Sequence, residues 1–83
     1  MRMYVGNLAL QTTDEELLAV FKKYGQVASA NVMKNVATGE AHGFGYVEMD
    51  VDAEGQSALA NLDGSELLGR KLTVIRQQPW TVS

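Results

Sequence analysis

His42-Gly43-Phe44-Gly45-Tyr46-Val47-Glu48-Met49 is the stretch on which the reading of this chain turns. As a strand, its side chains alternate between two faces. Phe44 and Tyr46 share one face, with His42 and Glu48 flanking them. Gly43, Gly45, Val47 and Met49 point the other way. If Val47 and Met49 turn toward a core, both rings turn toward water, and two glycines thin the backbone beside them. A paired aromatic patch facing solvent signals a binding surface. A flat partner with a π-face, such as a nucleic-acid base, suits it.

Outward from this stretch, Met3-Tyr4-Val5-Gly6-Asn7-Leu8 alternates too, with Met3 and Val5 on one side and Tyr4 on the other. Residues 2–6 read as the first strand and Gly6-Asn7 as its exit. Thr13-Asp14-Glu15-Glu16 has the form of a capping box, and three acids in a first turn suit the helix dipole. Leu17, Val20, Phe21 and Tyr24 follow at helical spacing as a core stripe, which Gly25 stops. Val27 to Lys34 reads as the second strand. Val27, Ala30 and Val32 are its inward residues, while Ser29, Asn31 and Met33 lie on the Tyr4 face. The change of parity after Val27 marks a bulge. Residues 35–41 form a loop with Thr38-Gly39 as its turn.

Beyond the octamer, Asp50 or Asp52 caps a second helix that ends near Leu62. Gly55, Ala58, Leu59 and Leu62 make its inner stripe. Asp63-Gly64 closes it. Leu67 and Leu68 form a short apolar element, Gly69 turns, and Lys71 to Ile75 is the fourth strand. Leu72 and Val74 face inward; Thr73 and Ile75 face outward, with Lys71 beside them. The order strand–helix–strand–strand–helix–strand is an α+β, ferredoxin-like split βαβ plan. Right-handed crossovers turn it into a four-stranded antiparallel sheet with two helices on one face. Residues 1–76 form the domain and 77–83 a tail that contains Pro79 and Trp80. The first and third strands become central neighbours, which gathers Tyr4, Phe44 and Tyr46.

The 83 residues have room for one small domain, which buries roughly 60–65% of its unfolded surface. An apolar share of 46% is that of a folded domain. Without cysteine there is neither a disulfide nor a thiolate metal site, and a lone histidine offers a metal little. The sequence shows neither a signal-peptide pattern nor an apolar run near the ~20 residues of a membrane span, which gives the expectation of a soluble, cytoplasmic protein. Seven basic residues against ten acidic ones leave a net charge of −3. Nucleic-acid binders usually carry a basic footprint. Placement counts for more than the sum, because exposed charges more than ~8 Å apart are largely screened. Asp14, Glu15, Glu16, Asp50, Asp52 and Glu54 fall in or beside the helices, while Arg2, Lys34, Lys71 and Arg76 fall in or beside strands.

The two alternating stretches resemble the paired signatures of the RNA-recognition motif (RRM) family. The longer signature runs Lys/Arg-Gly-Phe/Tyr-Gly/Ala-Phe-Val-x-Phe/Tyr. The chain matches it from Gly43 to Val47 and departs at both ends, with His42 for the basic residue and Met49 for the aromatic. Met3 to Leu8 matches the shorter signature. The resemblance implies single-stranded RNA as the ligand, with Tyr4 and Phe44 beneath successive bases and Tyr46 against a base or sugar. Around them, Asn31, Met33, Glu48, Lys71, Thr73 and Ile75 would read base edges and shape. Arg2, Lys34 and Arg76 would contact phosphate, and Gln77 and Gln78 lie where the family's chain leaves the sheet.

Chain length and resemblance together suggest a small bacterial-type RNA-binding protein that handles messenger RNA. A protein-interaction module on the same fold is the competing reading. Single-stranded DNA as ligand, a small homodimer and a protein partner also stay open. An enzyme finds no support: the chain shows no nucleophile–base pairing, no metal cluster and no phosphate-cradling loop, and no cofactor or membrane association is expected. His42 replaces a permanent charge with an imidazole, whose ordinary pKa of ~6.5 leaves it mostly neutral at pH 7. Protonation restores the charge, so affinity for a short single-stranded RNA is expected to rise from about pH 8 to about pH 6. Equal affinities at the two pH values would dismiss a charge role for His42.

Overall fold

A computed structural model describes residues 1–34 and 41–77, apart from the side chains of Lys34, Ala41 and His42. The Thr38-Gly39 turn, Gln78, Pro79 and Trp80, and the side-chain roles expected of Lys34 and His42, lie outside the described residues. The elements are β1 (Arg2–Gly6), α1 (Asp14–Lys22), β2 (Val27–Lys34), β3 (Ala41–Met49), α2 (Asp52–Leu62), β4 (Glu66–Leu67), β5 (Arg70–Lys71) and β6 (Thr73–Gln77). Four of the strands form an antiparallel sheet in the order β2-β3-β1-β6, so β1 and β3 are the central pair.

Period-two alternation divides the sheet. Met3 and Val5 of β1, Val47 and Met49 of β3, Val32 of β2 and Val74 of β6 are buried against Leu17 and Phe21 of α1 and Ala58 and Leu62 of α2. Val20 and Tyr24 complete the α1 stripe as half-buried neighbours, as Leu59 does for α2. The capping box forms: the Thr13 hydroxyl accepts from the Glu16 N–H, and the Glu16 carboxylate accepts from the Thr13 N–H. The register of β2 against β3 shifts between Val27 and Ser29, the bulge implied by the change of parity.

Two expectations are corrected. Neither Asp50 nor Asp52 caps α2; Val51 is the N-cap and makes no side-chain cap hydrogen bond, while Asp52 is already the first helical residue. The expected strand from Lys71 to Ile75 is interrupted at Leu72. Leu72 donates its N–H to the Ser65 carbonyl and accepts from the Gly64 N–H, both at 2.7 Å. Its side chain is buried. Lys71 therefore pairs with Glu66 in a separate β4–β5 hairpin. The hairpin turns through Leu68 and Gly69, with φ of 53° and 82°. Gly55, the glycine inside α2, has a packing reason. A Cβ there would lie 2.6 Å from the Met1 sulfur, so its absence lets Met1 rest on the helix.

Carboxylates near the helix ends fasten the sheet. Asp14 accepts from the Val32 N–H at 2.7 Å on the outer side of β2, and Asp63 from the Val74 N–H at 3.1 Å on the outer side of β6. Glu54 of α2 accepts from the Gln26 N–H at 3.1 Å ahead of β2. Unpaired sheet edges invite pairing with other chains, and a carboxylate bonded there closes part of the edge. Leu68 is 44% exposed in a left-handed conformation that costs a non-glycine residue about 1–2 kcal/mol. Asparagine tolerates that conformation at a two-residue hairpin turn. Leu68→Asn is thus expected to stabilise the fold by about 1 kcal/mol, a rise in Tm of about 4–8 °C by calorimetry. An unchanged or lower Tm would contradict it.

Candidate nucleic-acid interface

The β1–β3 pairing sets Tyr4 directly opposite Tyr46. Both side chains project from the face opposite Met3 and Val47. Phe44 stands on the same face, two residues before Tyr46. The Tyr4 and Phe44 rings are stacked, with centroids 5.7 Å apart and planes 28° apart. Tyr46 meets both edge-on at 6.0 Å, with interplanar angles of 67° to Tyr4 and 88° to Phe44. All three rings are half-buried. The Arg2 guanidinium lies 4.7 Å from the Tyr46 ring centroid, a cation–π contact.

Glycines permit this arrangement in two ways. A Cβ on Gly6 would stand 2.7 Å from Tyr4 Cε1 and 2.8 Å from its hydroxyl, so the Tyr4 ring lies along the strand over Gly6. A Cβ on Gly45 would lie 2.5 Å from the Asn31 carbonyl oxygen, so the close approach of β2 to β3 beside the rings requires glycine there.

Cross-strand partners place the surrounding residues. Asn31 is opposite Tyr46, Ser29 and Arg2 are both opposite Glu48, and Gln77 is opposite Arg2 on its other side. Ile75 is opposite Tyr4 and 50% exposed, and Thr73 is opposite Gly6. Arg2, Asn31, Glu48, Thr73, Ile75 and Gln77 therefore share the ring face. Met33 is half-buried and lies where the β2–β3 register shifts a second time, between Val32 and Lys34.

Two expected site residues stand elsewhere. Arg76 is opposite Met3, so pairing turns it to the helix side of β6, away from the rings. Lys71 is exposed in the β4–β5 hairpin and not beside Thr73 in the sheet, because Leu72 breaks the strand. The sequence reading missed Asn7 and Arg70. Asn7 has φ of 59° at the exit of β1; its Nδ2 donates to the Lys71 carbonyl at 2.7 Å, and its Oδ1 accepts from Arg70 Nη2 at 2.6 Å. The one local signal was an asparagine directly after glycine, a residue type that tolerates this conformation.

Tyr4 and Phe44 together make a two-ring platform of the kind on which bases stack, and Tyr46 with Arg2 borders it with a cation and a ring edge. Among the described residues no cluster of histidine and carboxylate side chains could hold a metal ion. No described helix is long and apolar enough to cross a membrane.

Comparison with known proteins agrees with this geometry. Residues 3–73 match the model of the RNA recognition motif family. A protein of Nostoc sp. named RbpB, described as a candidate RNA-binding protein, is 46% identical over 79 residues, which cover 95% of this chain and 77% of the relative. The crystal structure of RNA-binding protein PG1 superposes with a TM-score of 0.88 at 38% identity, covering 96% of this chain and 99% of that one. The Sxl-lethal protein/RNA complex superposes with a TM-score of 0.89 at 26% identity, covering 96% and 48% respectively.

Gly6→Ala is expected to push the Tyr4 ring off its seat and break its stack with Phe44. Ring-proton NMR shifts of Tyr4 and Phe44 should then move while amide shifts in α1 and α2 hold. Unmoved ring shifts would show that Gly6 does not set the platform.

Proposed function

Because this chain belongs to the RNA recognition motif family, we propose that it binds short stretches of single-stranded RNA by stacking bases on Tyr4, Phe44 and Tyr46. The observation that carries the reading is the clustering of these three rings on the sheet face turned away from the helices. Burying such rings in the core would strengthen the domain, whereas half-exposed rings at the centre of a sheet offer π-surface to a partner. Each stacked base contributes ~1–3 kcal/mol, so three rings offer roughly 3–9 kcal/mol before ordering costs. That span alone corresponds to about millimolar to sub-micromolar dissociation constants.

Base-edge and phosphate contacts supply the rest. Asn31, Met33, Glu48, Thr73, Ile75 and Gln77 surround the platform and read edges and shape. Arg2, beside Tyr46, contributes a charge, with Lys34, His42 and Gln78 as further contacts carried from the family pattern. The physiological role that fits a small RNA-binding domain is post-transcriptional handling of messenger RNA in the cytoplasm.

The test replaces both β3 rings. Phe44→Ala/Tyr46→Ala should preserve the circular dichroism spectrum and weaken binding to a random single-stranded RNA pool by thirtyfold or more, given about 2–6 kcal/mol for two lost stacks. A matched single-stranded DNA pool reports whether the 2′-hydroxyl matters. If the double variant binds the RNA pool as tightly as the parent, base stacking is not the function of these rings.

A further inference from the structure

We infer that Arg70, held by Asn7, is a phosphate-binding residue at the Tyr4 end of the ring platform, where it supplies the permanent charge that position 42 lacks. The inference rests on the RNA-binding reading above and adds a residue that neither the family signatures nor the ring geometry names.

Three observations converge on it. First, the guanidinium is fixed in place. Arg70 Nη2 donates to Asn7 Oδ1 at 2.6 Å, while Asn7 Nδ2 is committed to the Lys71 carbonyl at 2.7 Å. Both amide atoms of Asn7 are therefore engaged, and its left-handed backbone, φ 59°, aims them at the hairpin. A guanidinium that gives one N–H to a neutral amide keeps its full charge and its remaining donors for a bidentate phosphate contact.

Second, the charge stands uncompensated at an exposed position. Arg70 is exposed, among the described residues no carboxylate makes an ion pair with it, and its own cross-strand partner is Leu67, while Glu66 stands opposite Lys71. At the opposite end of the platform, Arg2 has Glu48 directly across from it, which offsets the attraction that Arg2 alone would exert on a phosphate.

Third, the location is continuous with the rings. Tyr4 lies over Gly6, with its hydroxyl 2.8 Å from where a Gly6 Cβ would be, and Asn7 is the next residue. Summing bond lengths and the two contacts from that hydroxyl through Gly6 and Asn7 to the guanidinium carbon gives at most about 16 Å. A strand with a base on Tyr4 that runs on past the end of β1 thus carries its next phosphates toward Arg70. The Asn7–Arg70 bond would also be expected if it only pinned the hairpin to β1. A structural pin, however, has no reason to change how binding responds to salt.

Salt dependence therefore separates the two roles. Binding of a fluorescein-labelled random RNA octamer is measured between about 50 and 200 mM salt, where each neutralised phosphate on a single strand contributes ~0.7 to the log–log slope. Arg70→Gln should lower that slope by about 0.7 and weaken binding about fivefold at ~0.1 M salt, with the Tm close to the parent's. Arg70→Lys, which keeps the charge and loses the fork, should retain the slope. Asn7→Ala, which frees the guanidinium without removing it, should weaken binding less than Arg70→Gln and also keep the slope. If the parent binds the octamer and Arg70→Gln shows the same slope, Arg70 touches no phosphate and the inference is overturned while the stacking reading stands. If the parent binds no RNA at any salt concentration, both fall.

Discussion

The antiparallel pairing of β1 with β3 is the constraint on which the remaining structure depends. It places Met3 beside Val47 on the helix side and Tyr4 beside Tyr46 on the other. A slip of one residue would exchange the two faces, sending the rings beneath the helices and the core residues into water. Packing of Val5, Val47 and Met49 against Leu17, Phe21 and Ala58 resists that slip. Core formation and presentation of the rings are thus one event. Gly45 adds a second restraint, since a side chain there would collide with the backbone of β2 beside the platform.

How much of this was legible in the sequence depended on whether the signal was local. Alternation in residues 43–49 and 3–6 is a property of adjacent residues, so both faces could be read directly, whereas Leu8, beyond the left-handed Asn7, turns into the core. The capping box at Thr13 and the parity change after Val27 are local too, and both appear in the structure. The break at Leu72 was not legible. It depends on hydrogen bonds to Gly64 and Ser65 and on a turn whose first residue, Leu68, carries no turn chemistry. The Asn7–Arg70 contact joins residues 63 apart in sequence, which no spacing rule reaches. Arg76 is different: alternation from Val74 already implied its helix-side position, and closeness to the sheet was the wrong criterion.

The acidic balance also acquires a structural explanation. Asp14, Glu54 and Asp63 accept backbone N–H groups at β2, ahead of β2 and at β6, and Glu16 closes the first helical turn. These carboxylates hold the scaffold together behind the ring face. Four of the ten acidic residues are thus committed to backbone contacts away from the rings, so a net charge of −3 says little about the charge on the ring face. Two exposed cations, Arg2 and Arg70, stand at the two ends of β1.

The seat that Gly6 provides for Tyr4 bears on timing as well as geometry. A ring already laid along its strand and stacked on its neighbour has little rotational freedom left to surrender to a ligand. Encounters that meet the Tyr4 and Phe44 rings need little reordering of those two side chains before contact forms. Discrimination among ligands then resides chiefly in how long each one stays, with arrival rates nearly alike.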